Sequence, residues 1–204
     1  MNMQTNEELD QTNSNIPLIL TLDISGQPVR WMTWQDATTM VWNKKVIWSL
    51  GDPIKLRGGM NRHGDQNIFE LPPIIACNDK SLIRKKGPPL LTNRSLFRRD
   101  HNMCMYCGHE MMPHKLTRDH IMPRSRGGKD TWNNVVASCK GCNNYKDNKT
   151  PEEAGMKLLC VPYVPNPAEI LILNNRRIIA DQMSFLSKQI PDHSSVWKYV
   201  NQVM

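Results

Sequence analysis

The stretch that decides the reading runs from Cys104-Met105-Tyr106-Cys107 to Cys139-Lys140-Gly141-Cys142. A two-residue gap lets one chain turn present both sulfurs of a pair to a single ion. Two such knuckles complete a tetrahedral four-cysteine set, the geometry that Zn2+ takes, and with all four positions filled by protein the ion is structural. Gly108 after the first pair and Gly141 inside the second suit tight knuckle turns. The first fifteen residues are polar and acidic, unlike a signal peptide. Six cysteines are therefore read against a reducing, cytoplasmic compartment, where metal binding is favoured over a disulfide framework. Cys77 and Cys160 stand outside the pairs and are read as core residues.

Residues 108–138 separate the pairs, more than a simple zinc ribbon needs, so something is inserted between the knuckles. The insertion holds Asp119-His120-Ile121-Met122-Pro123-Arg124-Ser125-Arg126-Gly127-Gly128, then Lys129 and Trp132-Asn133-Asn134-Val135-Val136, and Asn143-Asn144-Tyr145-Lys146 follows the second pair. A carboxylate sits beside an imidazole, a Gly-Gly loop with two arginines follows, and the second knuckle pins a carboxamide at the start of an expected helix. This set suits phosphodiester hydrolysis with one hard cation. Asp119 and Asn143 offer oxygen ligands for Mg2+ or Mn2+. Neighbours on a strand point to opposite faces, so His120 need not compete for that ion and is free to deprotonate a water. Arg124, Arg126, Lys129 and Lys146 are candidates to hold neighbouring phosphates, although each taken singly is more often a solvated side chain.

The segment from about Phe97 to Leu159 closely resembles the HNH endonuclease family. It carries, in order, the two Cys-x-x-Cys pairs, Asp119 to Gly128, Trp132-Asn133-Asn134-Val135-Val136, Asn143 with Lys146, and Thr150-Pro151-Glu152-Glu153-Ala154-Gly155-Met156. The resemblance implies an α+β fold: a ββα-metal nuclease core stapled by a four-cysteine zinc site, with a mixed α/β amino-terminal region and a helical carboxy-terminal extension. It implies His120 as general base, Asp119 as metal ligand, and Asn134 as the residue that holds the loop and orients the base. The third motif position, often His, is Asn143 here. Family variants use Asn there as a metal ligand, and its hard amide oxygen favours Mg2+ or Mn2+ over Zn2+ or Ni2+. His101, His109 and His114 match no motif position and are read as surface residues. The implied cofactors are one structural Zn2+ and one catalytic Mg2+ or Mn2+. The implied partner is DNA, double-stranded, cut by nicking in a monomer or across both strands by a homodimer or successive nicks. A phage or intron-encoded homing nuclease fits the size and flanks, with restriction and packaging as other roles. A zinc-stapled DNA-binding module without catalysis and an RNA nuclease are the alternatives.

The chain has 204 residues and a net charge of +7. Residues 1–36 carry one arginine against five carboxylates, whereas residues 84–129 carry eleven Lys/Arg against three. Such a segment suits a polyphosphate partner through counterion release. No apolar stretch approaches the length of a membrane span. Residues 1–15 read as a disordered leader. Residues 16–92 form a mixed region, either DNA-recognising or structural, which resembles the amino-terminal region of bacterial and phage family members more loosely. Residues 93–160 are the nuclease domain and 161–204 a helical extension. Within these, Leu18–Ile24, Ile47–Leu50 and Ile74–Cys77 read as extended and Trp34–Val46 as helical. Residues 51–67, rich in Gly, Asn and charge, read as loop. Trp31, Trp34, Trp42 and Trp48 read as core. The run Arg84-Lys85-Lys86 reads as a backbone contact or a solvated face. Asn93–His101 suits a short basic helix capped by Asn93 with Phe97 inward, Pro162, Pro165 and Pro167 mark a linker, and Ile170–Gln189 suits a helix ended by Pro191.

Overall fold

The computed structural model describes residues 16–79, 82, 87–175, 177–192 and 194–201. The leader over 1–15 and the run Arg84-Lys85-Lys86 lie outside the described residues. Of the described residues, 16–82 and 175–189 form one compact unit and 87–174 and 190–201 a second. The stretch read as one carboxy-terminal extension is thus divided between them.

The first unit is built on two apolar runs. Ile19–Leu22 (β1) and Ile74–Cys77 (β6) are buried at every position, as strands covered on both faces must be. They pair in parallel at the centre of a four-stranded sheet, with Pro28–Met32 (β2) beside β1 and Val46–Leu50 (β3) beside β6. Between β2 and β3 lies a helix, Trp34–Trp42 (α1), whose Thr33 cap accepts from Asp36 N. It stops short of the expected Val46 because Lys44 turns left-handed at φ +55 and the chain enters β3. The four tryptophans divide: Trp31 and Trp34 are partly buried, whereas Trp48 is 37% and Trp42 84% exposed. Residues 51–67 are not a loop. Ile54–Met60 (β4) and Gln66–Leu71 (β5) make an antiparallel hairpin, anchored where Leu56 and Leu71 enter the core beside Ile19 and Ile75. A helix from the far end of the chain, Ala180–Ser187 (α5), is held to this sheet by Gln182, fully buried, which donates to Leu18 O at 2.7 Å and Pro73 O at 2.9 Å.

The second unit starts with Asn93–Arg99 (α2), capped by Thr92 rather than by Asn93, with Phe97 buried as expected. Leu116–His120 (β7) and Val135–Cys139 (β8) pair antiparallel, and Lys140–Lys146 (α3) follows β8 directly. After residues 161–166, which hold no helix or strand, come Pro167–Asn174 (α4) and Trp197–Val200 (α6). The expected helix over 170–189 is therefore two helices, because the polar run from Asn174 interrupts the apolar spacing and Asn175 folds back to accept from Arg177 N. His101 is not a surface residue. It packs on Tyr199 at 5.2 Å between ring centroids, and burial pulls its imidazole below the usual histidine range. Cys77 is buried as expected, but Cys160 is exposed.

The outer edge of β8 has no strand beside it. Asp100 accepts from Ala137 N at 2.7 Å, Met105 N donates to Ala137 O, and Arg99 donates to Val135 O at 2.8 Å. Arg99 is 2% exposed and Asp100 6%. Asp100→Ala leaves a buried guanidinium without its counter-charge and an edge amide without an acceptor. It is expected to destabilise the protein by about 3–5 kcal/mol, read by urea unfolding. Lys198→Ala, which breaks the exposed pair with Glu110, is expected to cost under about 1 kcal/mol in the same assay.

Candidate functional site

The four paired cysteines come together. Their sulfurs all lie within 4.8 Å of one another, a spacing compatible with one tetrahedral zinc ion. The first knuckle closes through Gly108 N donating to Cys104 O and Cys104 N donating to His109 O, with Gly108 at φ +76. The second closes as the cap of α3, where Cys142 N donates to Cys139 Sγ at 3.3 Å. Gly141 has no such steric role: a Cβ there would come no nearer than 3.9 Å to Cys139 Sγ. Burial raises the Cys104 thiol, but the amides of Cys107, Cys139 and Tyr106 outweigh it and hold the group at about 7. A thiolate-forming pocket of this kind suits a metal ligand.

The hairpin separates the remaining groups by face. Thr117 and Asp119 look toward α3, where Asn143 Nδ2 donates to Thr117 Oγ1 at 2.9 Å and the Lys146 ammonium lies 3.2 Å from Asp119 Oδ1. The second Asp119 oxygen accepts from the Tyr106 hydroxyl at 2.5 Å. Asp119 is 5% and Lys146 1% exposed. Lys146 is therefore not a surface cation awaiting a phosphate: its charge is buried against Asp119. Burial and the adjacent carboxylate push the Tyr106 hydroxyl far up, so it remains a donor. On the opposite face, His120 Nε2 lies 3.1 Å from Asp130 Oδ1, and Arg118 Nη1 lies 2.5 Å from Asp130 Oδ2. The Arg118 hydrogen bond holds the Asp130 carboxyl below the usual range. Among the described residues no hydrogen bond joins Asp119, His120 and Asn143 directly.

Asn134 holds the loop between the strands. Its carboxamide accepts from Met122 N at 2.9 Å and donates to Met122 O and Lys129 O, while its backbone oxygen accepts from Ile121 N. The side-chain hydrogen-bond partner of His120 is Asp130. In the same loop Gly127 is left-handed at φ +88, and Gly128 passes so close to its neighbours that a Cβ would sit 1.8 Å from Met122 O. Arg124, Arg126 and Lys129 are exposed there, with Arg126 paired to Glu153. Asp130, Arg118, Thr117 and Tyr106 carried no signal in the sequence beyond being polar neighbours of the motif.

Residues 104–159 match the model of a family described as HNH endonuclease. The crystal structure of the Type II-C Cas9 enzyme from Actinomyces naeslundii is similar at 23% identity, over 58% of this chain and 13% of that one, with a TM-score of 0.29. No curated protein matches the chain.

Removal of zinc is expected to unfold the region from 102 to 160, since structural zinc contributes on the order of 10 kcal/mol in small modules. One zinc per chain by elemental analysis, and loss of far-UV signal on its removal, are the measurements; a zinc-free chain with unchanged secondary structure would refute the staple. Gly128→Ala is expected to lower stability by about 1–3 kcal/mol, whereas Gly141→Ala is near neutral.

Proposed function

We propose that the protein is a metal-dependent endonuclease that hydrolyses phosphodiester bonds of double-stranded DNA, with His120 as the general base. The observation that supports it is the ordered face of β7 on which Asp130, fixed by Arg118, meets His120 Nε2. With Nε2–H donating to Asp130, the lone pair resides on Nδ1, the nitrogen that takes a proton from the attacking water. Asp130 thereby stabilises the imidazolium that forms.

Across the strand, Tyr106 and Lys146 fix the Asp119 carboxylate, each through one oxygen, and each oxygen keeps a second lone pair. Asn143 uses its amide nitrogen on Thr117, which leaves its carbonyl oxygen to act as ligand. Two hard oxygen donors, with waters and phosphate completing the shell, fit Mg2+ or Mn2+. When bound, such an ion supplies Lewis-acid stabilisation of the charge growing on the phosphate and the leaving oxygen. Arg124 and Lys129 lie exposed in the loop and serve to hold adjacent phosphates. In this reading β7, β8 and α3 are the ββα-metal core. One such centre per chain nicks; a homodimer or successive nicks cut both strands. In this reading the protein acts in the cytoplasm as a phage or intron-borne homing nuclease, a role that the separate first unit supports.

Supercoiled plasmid incubated with purified protein and Mg2+ or Mn2+ is expected to yield nicked or linear product. His120→Ala is expected to lose about 10²–10⁴-fold in rate while keeping fold and duplex affinity. Equal cutting by His120→Ala would remove His120 from the chemistry. Wild-type binding without cutting would favour a binding module, and preferential cutting of RNA would change the substrate.

A further inference from the structure

We propose that the β4–β5 hairpin is a reading ribbon that enters the major groove of duplex DNA and sets which sequence is cut. The proposal rests on the nuclease function given above. The hairpin has two halves. In the first, Ile54 pairs with Leu71 and Leu56 with Phe69, and this apolar face anchors it in the core. Beyond the pair Arg57 and Ile68 the character changes: every residue from 57 to 68 is exposed. A two-stranded ribbon bare on both faces gains nothing from a core and is marginal in water by itself.

This one is nevertheless ordered at its tip. Asn61 Oδ1 accepts from His63 N and Asp65 N, Asn61 Nδ2 donates to Asp65 Oδ2, and Asn61 N donates to Asp65 O, with Gly64 at φ +84. The loop's one carboxylate, Asp65, is held by Asn61, and the exposed side chains around it include Arg62, His63 and Asn67, with Met60 and Ile68 75% and 63% exposed. Arginine and asparagine are the side chains that pair bidentately with guanine and adenine edges, and apolar groups meet the thymine methyl. A hairpin kept only for solubility would carry lysine and glutamate instead.

Gly58 and Gly59 add the decisive detail. The register shifts between Arg57 and Met60, a bulge that tightens the twist. A Cβ at Gly59 would meet nothing within 4 Å and its φ is not left-handed, so nothing inside the chain requires glycine there. Glycine in a strand weakens it and often marks a bulge, as here, or a place where a ligand or another backbone comes close. Strands lie about 4.8 Å apart, and a groove about 12 Å wide admits such a ribbon with its side chains.

The test uses the full chain and a pool of duplexes with a randomised centre, with bound molecules sequenced and guanine N7 methylation interference mapped. Two variants are compared: one with residues 58–67 replaced by Asn-Gly, which closes a tight turn across the Arg57–Ile68 pair, and Arg62→Ala/Asn67→Ala in the intact hairpin. The wild type is expected to enrich a motif in which N7 methylation of its guanines blocks binding. Both variants are expected to keep metal-dependent plasmid nicking but lose the motif, with affinity for it falling on the order of 10–100-fold. Should the shortened hairpin fail to fold, the double alanine variant decides. The same motif at the same affinity in the variants overturns the ribbon and leaves the nuclease standing, as does wild-type cutting without any enriched motif, or an enriched motif whose binding is unchanged by guanine N7 methylation. A wild type that neither binds duplex nor nicks plasmid overturns both.

Discussion

A hairpin of two strands satisfies only its inner edge, and a buried outer edge needs partners from elsewhere. In the second unit those partners are the buried Arg99–Asp100 pair and the backbone of Met105. The pair is neighbouring in sequence, at the end of α2, and it performs as a third strand would. All five guanidinium N–H groups of Arg99 are engaged, on the two Asp100 oxygens and on the carbonyls of Trp132, Tyr163 and Val135. Its plane also faces the Trp132 and Tyr163 rings at 5.5 and 5.8 Å. Desolvating such a pair is costly, and complete hydrogen bonding is the condition under which it is tolerated. The consequence reaches the site directly: Val135, gripped by Arg99, is the register partner of His120.

The site is then rigid for reasons that lie mostly outside the motif. Its loop is clamped by one carboxamide at three points and threaded by a glycine that no other residue can replace. The cysteine cluster joins the first knuckle to the start of α3, and α3 in turn delivers Asn143 and Lys146 to one face of β7. His120 receives its support from the other face, through Asp130 and Arg118. His120 and Asp119 are thus held on separate hydrogen-bond networks, so neither takes the other's partners. Preorganisation of this sort lowers the reorganisation that a developing charge would otherwise demand.

Features written as fixed local spacing were legible in the sequence. The four-cysteine cluster follows from two gaps of two residues, and β1 and β6 follow from short apolar runs. The β4–β5 hairpin was not legible, because its distal half has no apolar alternation and is ordered by the Asn61 turn and by strand register. The break between α4 and α5 was missed because Ile170 to Gln189 keeps enough apolar residues to mimic one helix, while a polar run in the middle ends the first. Asn134 holds the loop as its motif position implies, and the hydrogen bond to His120 comes from Asp130 in the same loop, a position that no motif marked.

Charge was the least faithful guide, for a physical reason. The eleven basic residues counted over 84–129 suggest a phosphate-binding stripe. In the structure Arg99 is internal, Arg118 serves Asp130, Arg126 is matched by Glu153, and Arg98 and Arg94 donate to carbonyls ending α4. Lys146, just beyond that span, is buried against Asp119. Lys115, Arg124 and Lys129 are left exposed with no acidic partner among the described residues. Only cations that can shed their place for a phosphate release counterions on binding. Among the eight described basic residues of this segment, five are therefore held by the domain itself, and of the remaining three Arg124 and Lys129 sit in the loop that follows His120, while Lys115 lies at the other end of β7.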